Sequence, residues 1–373
     1  MKKIKYFLLA MMAIMSTVSF TACSSNDENI QNNWTTYQNQ VNETIKNTQS
    51  KSKNSKAILL VAFGSTWQQA FDAFDSTKKA YEAAFPGYDV FVSFSSAICI
   101  NRAAAGEHVA DGAEVRNYYA PNFWLQGFGM LKCYKDITVQ SLQVIPGEEF
   151  TRVINYMKDF ANNSLGDIDD DYLATVTLRL GTPLLDTKDD VEAVAKALDK
   201  NYGNLAKQGV VAFMGHGNPD SYDTYSGNVR YTQLEESLQS INPNYFVGTV
   251  DMPDNYKTSV WVRMQGAGIV NGKVFLHPLM SIAGDHANND MAGDDGEDMN
   301  PDEYEFNEEG EIEDLSWKWY FQKAGYTCNN ETCIVKGLLE VNDVRAVWMQ
   351  HTKDAIMNAP LEDFYHSKNP EVE

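Results

Sequence analysis

Short runs of β-branched and apolar residues alternate with helical stretches along most of this chain, at a spacing of roughly 30–40 residues. That rhythm leaves few architectures open. The runs are Ala57–Phe63, Asp89–Phe94, Ile137–Leu142, Leu173–Leu178, Val210–Met214, Tyr245–Val250 and Lys273–Leu279. A helical pattern from Trp67 to Phe85 stops at Pro86-Gly87, and another spans Glu148 to Ala161. Strands separated by a helix length pair in parallel, because a tight turn cannot bring the chain back to the same edge. The expected fold is therefore α/β, with parallel sheets flanked by helices on both faces. The 373 residues, 43% apolar and 12% aromatic, are enough for two such lobes and a substantial core.

The sequence also echoes itself. Val61-Ala62-Phe63-Gly64 is matched by Val211-Ala212-Phe213-Met214-Gly215, and Leu142 to Glu149 is matched by Leu279 to His286. Two similar halves with a cleft between them follow, expected at 56–190 and 191–365. Coincidence among common strand sequences is the competing explanation.

Ahead of the first strand, Lys2, Lys3 and Lys5 precede a short apolar run from Phe7 to Phe20, then Thr21-Ala22-Cys23. This resembles a bacterial lipoprotein signal over 1–22, with Cys23 as the lipidated first residue of the exported protein. An ordinary secretory signal is the alternative. Residues 23–55 are rich in Asn, Gln, Ser, Thr and Lys and read as a flexible tether. The expectation is an exported protein, lipid-anchored in the cell envelope, periplasmic or on the outer surface. The 51 acidic residues exceed the 30 basic ones, giving a net charge of −21, which argues against nucleic acid as a partner. A homo-oligomer is left open. Cys328 and Cys333 flank a turn-forming Asn-Asn-Glu-Thr, and in an oxidising compartment a local disulfide is expected there, with metal binding as the rival. Cys99 and Cys133 sit in apolar surroundings and read as buried thiols.

Three residues of metal-ligand type lie at strand ends. His216 follows Val210–Met214, Asp251 follows Tyr245–Val250, and His286 follows Lys273–Leu279. Carboxyl ends of parallel strands open on one edge, so the three can converge. Two imidazoles and a carboxylate suit a borderline divalent cation. Each alone also fits a structural role, and Asp251 also fits a turn cap before Met252-Pro253. The glycines of Gly215-His216-Gly217 keep bulk away from the imidazole.

Gly215-His216-Gly217, Val247 to Asp251 and the Pro278 to Gly296 stretch resemble the class II, anaerobic-type sirohydrochlorin cobalt chelatases. So do Ala62 to Thr66, Gln140 to Glu149 and Gly181 to Leu185. The resemblance runs from Lys56 to His351, and Ala283-Gly284-Asp285-His286-Ala287 with Asn289-Asp290-Met291 is its most specific part. It implies a two-lobed α/β chelatase fold and insertion of Co²⁺, or Fe²⁺, into a tetrapyrrole, in cobalamin biosynthesis. It implies His216, Asp251 and His286 as metal ligands, with the two histidines catalytic. It also implies substrate contacts at Ser65, Gln143 and Arg102, the last a cation for the carboxylates of the tetrapyrrole. Two departures stand out: Asp251 where relatives usually have Glu, and Gln143 where they often have His. Glu148 and Glu149 are nearby proton acceptors, or simply acids at a helix N-terminus.

From Asp294 to Asp314, 12 of 21 residues are acidic and none is basic. Within this insert, Asp298, Asn300, Asp302 and Glu309 are spaced as in a calcium loop, with Glu303 where Gly is expected. A solvated acidic loop is the simpler reading, with Ca²⁺ as the alternative. Export sits uneasily with cobalamin synthesis, so two further functions stay open. One is an envelope haem or porphyrin chelatase serving iron or haem acquisition. The other is a tetrapyrrole- or metal-binding lipoprotein without turnover.

Overall fold

The structure is a computed structural model and describes residues 37–108, 115–252, 254–294 and 315–368. The export signal, Cys23 and the acidic insert beyond Asp294 lie outside the described residues, as does the calcium-like loop. None of the described helices is long and apolar enough to cross a membrane.

Among the described residues, seven strands form two parallel sheets. The first holds β1 (Lys56–Ala62), β2 (Asp89–Phe94), β3 (Asp136–Ser141) and β4 (Thr177–Gly181) in the order β2-β1-β3-β4. The second holds β5 (Val210–Gly215), β6 (Tyr245–Thr249) and β7 (Val274–Leu279) in the order β6-β5-β7. The sequence repeat has a structural counterpart. β1 and β5 are each the strand between two partners, and β3 and β7 each pair with it as the third strand of their half. β1 reads as an unbroken apolar run because Ala57 through Ala62 are covered on both faces, none more than 1% exposed. Each Leu or Ile so buried contributes about 1.5–3 kcal/mol.

Helices α1 (Tyr37–Lys51), α2 (Gln68–Ala84), α3 (Ala97–Ala105), α4 (Pro121–Leu131), α5 (Glu148–Ala161) and α6 (Asp170–Leu173) belong to the first half. The second brings α7 (Lys188–Ala206), α8 (Val229–Ile241), α9 (Lys257–Gly266), α10 (Trp317–Lys323) and α11 (Asn342–Met357). One apolar core runs through both halves, joining Ile58 and Leu60 of β1 to Val211 and Phe213 of β5 and to Trp348 of α11. The chain end returns to the first sheet. Thr352 of α11 donates to Gln140 Oε1 of β3 (2.7 Å), and Trp348 Nε1 donates to the Gln143 carbonyl (3.2 Å).

Two expectations are corrected. Residues 37–51, part of the expected tether, form α1 and lie against α4. The buried face of α1 is Gln40, Val41, Thr44 and Thr48, a helical spacing built mostly from polar side chains. Thr44 Oγ1 donates to Phe123 O (2.9 Å) and Gln40 Oε1 accepts from Ala120 N (2.9 Å), so these two side chains stay satisfied when buried, while Thr48 Oγ1 has no partner among the described residues. The fourth strand starts at Thr177 rather than Leu173, because Asp169 caps the short α6 through Tyr172 N (2.8 Å) and keeps Leu173 helical.

Candidate active site

The carboxyl edges of the two sheets meet. Trp67, just after β1, donates from Nε1 to Asp285 Oδ1 after β7 (2.5 Å). Asn218, just after β5, accepts at Oδ1 from Glu148 N, the first amide of α5 (3.2 Å). Gly147 gives α5 no side-chain cap, so the second half supplies one.

His216 sits where β5 ends. Its Nδ1 is 2.8 Å from Gly217 O and 3.3 Å from Asp251 Oδ2. A carbonyl oxygen only accepts, so Nδ1 carries the proton and Nε2 is the nitrogen with a free lone pair. The flanking glycines serve packing behind the loop rather than access to it. Gly217 has φ +82°, and a β-carbon there would lie 2.7 Å from Met252 Cγ. At Gly215 a β-carbon would lie 2.5 Å from Tyr231 Cε1. Desolvation in the site, and then the neighbouring His286, push His216 below the usual imidazole range against the pull of Asp251. Its side chain still faces solvent over 46% of its area, so Nε2 is reachable from outside.

His286 opens the single π-turn Ala287–Met291, and its Nδ1 is hydrogen-bonded to Asp290 Oδ2. Burial alone would lower its pKa. The Asp290 hydrogen bond and the charges of Asp290, Asp251 and Asp285 overcome burial and raise it. The two rings stand edge to face with centroids 4.9 Å apart. Each imidazole is thus backed by a carboxylate on its Nδ1 side. This arrangement differs from three equal ligands, because Asp251 stands behind His216. Among the described residues no three His, Cys, Asp or Glu side chains are set to hold a metal ion together.

The first half contributes the opposite edge. Gln143, after β3, is buried, accepts at Oε1 from Ser141 Oγ, and leaves Nε2 with no hydrogen-bond partner among the described residues. Glu149 accepts from Ser95 Oγ (3.2 Å); burial pushes its carboxyl up, opposed by Arg152. Arg152 also pairs with Glu148 (2.5 Å). Ser65 is buried and accepts from Trp67 N (3.2 Å), so it caps its own turn. Arg102 lies buried on α3 with Nε 3.5 Å from Glu107 Oε2. Its charge faces a carboxylate of its own half.

Sequence reasoning missed Asp290, Asp285, Trp67, His108 and Asn218. Asp290 had a local signal, an acid four residues after a histidine in a helical stretch. Trp67 stacks on His108 with centroids 4.3 Å apart, and Thr66 Oγ1 meets His108 Nδ1 at 2.8 Å. These pairings join loops far apart in sequence, so spacing gave no hint. A surface cavity of about 370 Å³, lined by Asp199, Lys207 and Asn242 among others, lies at the amino edge of the second sheet. It takes no part in this site.

The two cysteines expected to pair lie on the segment after α10. Cys328 and Cys333 stand as free thiols, Cys328 buried and Cys333 half-buried. The turn from Asn329 brings the sulfurs together, with Cys333 N donating to Asn329 O (3.2 Å), but joins them without a covalent bond.

The family model described as cobalt chelatase (CbiK) matches residues 56–357. The sirohydrochlorin cobaltochelatase CbiKC of Nitratidesulfovibrio vulgaris is 26% identical over 316 residues, 84% of this chain and 95% of that protein. The sirohydrochlorin cobaltochelatase of Salmonella typhimurium is 26% identical over 302 residues, 81% of this chain and 96% of that protein. The solved structure of SirB from Bacillus subtilis with Fe³⁺ overlaps at a TM-score of 0.47 and 12% identity, covering 81% of this chain and 95% of that one. With most of its length matched, and both histidines inside the match, this chain belongs to the cobalt chelatase (CbiK) family.

Proposed function

We propose that this chain is a metal chelatase that inserts Co²⁺ into sirohydrochlorin, with Fe²⁺ as the rival metal. Kinship with two proteins named sirohydrochlorin cobaltochelatase gives the substrate. The observation that carries the reading is the pair of carboxylate-backed imidazoles, 4.9 Å apart, at the carboxyl edge of the second sheet. Insertion must remove two pyrrole protons, strip water from the metal and distort the ring. His216, held neutral by desolvation, keeps Nε2 available to a cation or a proton. His286 with Asp290 forms a second basic group, and the carboxylates of Asp251, Asp285 and Asp290 favour the arrival of a dication.

The tetrapyrrole is a polycarboxylate, and these acids do not attract it. The unpaired Nε2 of Gln143 is the donor suited to it on the opposite edge. In this reading Asp251 acts through His216, fixing its tautomer and orientation. The N-terminal residues support export and anchoring through Cys23.

The test is spectroscopic. Purified protein is mixed with sirohydrochlorin and Co²⁺, and in parallel with Fe²⁺ or with haem alone. Conversion of the sirohydrochlorin spectrum to that of the metal complex, above the rate without protein, is expected. Tetrapyrrole binding with no acceleration would leave a binding lipoprotein instead. Metal loss from haem would favour the envelope porphyrin reading.

A further inference from the structure

A second chemically competent cluster lies at the far edge of β7. The segment after α10 runs beside that strand, with bridges from Thr327 to Lys273 and from Cys333 to Leu276. Between the bridges the chain turns. Asn329 N donates to Thr332 Oγ1 (2.9 Å), Glu331 N donates to Asn329 Oδ1 (3.0 Å), and Thr332 N donates to Asn329 O (2.9 Å). This turn holds the two thiols on one short loop, with Cys333 anchored at its bridge to Leu276. Cys328 is 1% exposed and also receives a hydrogen bond from Thr332 Oγ1 (3.8 Å). Cys333 instead lines a surface cavity of about 240 Å³, with Asn330, Asp294 and Val335.

A buried ammonium completes the cluster. Lys318 of α10 is 2% exposed, and its Nζ donates to Asp294 Oδ1 (2.7 Å) and Asn330 Oδ1 (2.8 Å), both residues of that cavity wall. The hydrogen bond from Cys328 holds the Cys333 thiol below its usual range, and Lys318 adds to this against burial. The same bond and burial hold Cys328 above the thiol range.

The geometry points to a reversible thiol–disulfide site: Cys333 is the accessible attacking sulfur, Cys328 the buried resolving sulfur, and a low-molecular-weight disulfide the oxidant. The Cys333 thiolate attacks one sulfur of the external disulfide, forming a mixed disulfide and releasing one thiolate, which takes up a proton. Cys328 then loses its proton to water and attacks the Cys333 sulfur. The Cys328–Cys333 bond forms, the mixed disulfide breaks, and the second external thiolate leaves. The protein dithiol is oxidised by two electrons and the external disulfide is reduced to two thiols. The closed bond staples the segment beside β7. That segment is tied through Lys318 and Asp294 to the turn that carries His286.

The site stands apart from the chelatase reading, and its test does not use chelatase activity. The folded protein is exposed to oxidised glutathione, alkylated and digested with trypsin. Cys328 and Cys333 share one fragment, Ala324–Lys336, which no other cysteine enters. Reduced protein should show two alkyl groups on it, and oxidised protein none, with a mass loss of two hydrogens that dithiothreitol reverses. Cys328→Ser should trap one glutathione on the fragment, while Cys333→Ser should react about tenfold or more slowly. Two alkyl groups after oxidation of the wild type would overturn the proposal. Equal reactivity of the two variants would overturn the order of attack.

Discussion

At the scale of single residues, the site is two imidazoles made unequal by their surroundings. His216 has a carbonyl and Asp251 on Nδ1 and is held low, whereas His286 has Asp290 on Nδ1 and is held high. Asp290→Asn keeps the size of the side chain but removes the charge that raises His286. Insertion by Asp290→Asn should fall about 10–100-fold, the usual cost of losing the group that orients a ligand. His216→Ala and His286→Ala should abolish insertion with the fold intact, as judged by circular dichroism. Wild-type rates in Asp290→Asn would show that the hydrogen bond is structural only. The histidines were legible in the sequence because strand ends in a parallel sheet share an edge. Asp251 was legible as a neighbour of His216, but not as lying on its Nδ1 side. That depends on a ring orientation set by the Gly217 carbonyl, which spacing does not encode.

At the scale of elements, α11 is fastened to α7 by one buried pair. His351 Nε2 is 3.0 Å from Asp190 Oδ1, and its Nδ1 is 3.2 Å from Thr182 O. Asp190 also caps α7 with Thr187. Burial alone would lower His351, but the Asp190 hydrogen bond and charge, with Thr182 O and Asp186, raise it. A raised histidine stabilises the folded state fully below its unfolded pKa of about 6.5, and the contribution is lost as pH rises through the higher folded value. His351→Gln should therefore cost about 1.5–3 kcal/mol in urea unfolding at pH 5.5, and less at pH 8.5. A cost that does not change with pH would show that His351 is neutral in its pocket. The strands were legible because doubly covered strands are apolar throughout, as β1 and β5 are. Helix α1 was not, because Gln40, Thr44 and Thr48 face inward, with Gln40 and Thr44 bonding to α4 and its preceding loop, so the buried stripe looks polar. The repeat was legible, and its chemistry is asymmetric. Glu149 follows β3 where His286 follows β7, and Ser65 follows β1 where His216 follows β5.

At the scale of the molecule, the halves share one core and a seam of hydrogen bonds, Trp67 to Asp285 and the Glu148 amide to Asn218. The seam was invisible in the sequence because each bond joins loops about 70 residues apart or more. The exported location proposed for the whole chain makes a simple prediction. Cys23→Ala should move the protein from the membrane fraction to the soluble fraction. Unchanged membrane association in Cys23→Ala would sink the lipid anchor.

The return of α11 to the first sheet has a consequence in time. Gln140 waits for Thr352, Asp186 waits for Tyr365 (2.9 Å) and Lys368 (2.5 Å), and the Gln143 carbonyl waits for Trp348. A chain emerging from the ribosome therefore cannot finish its first half until residues 348–368 are made. Its earliest strands stay open longest, which fits the export proposed above and exposes the chain to aggregation while they wait.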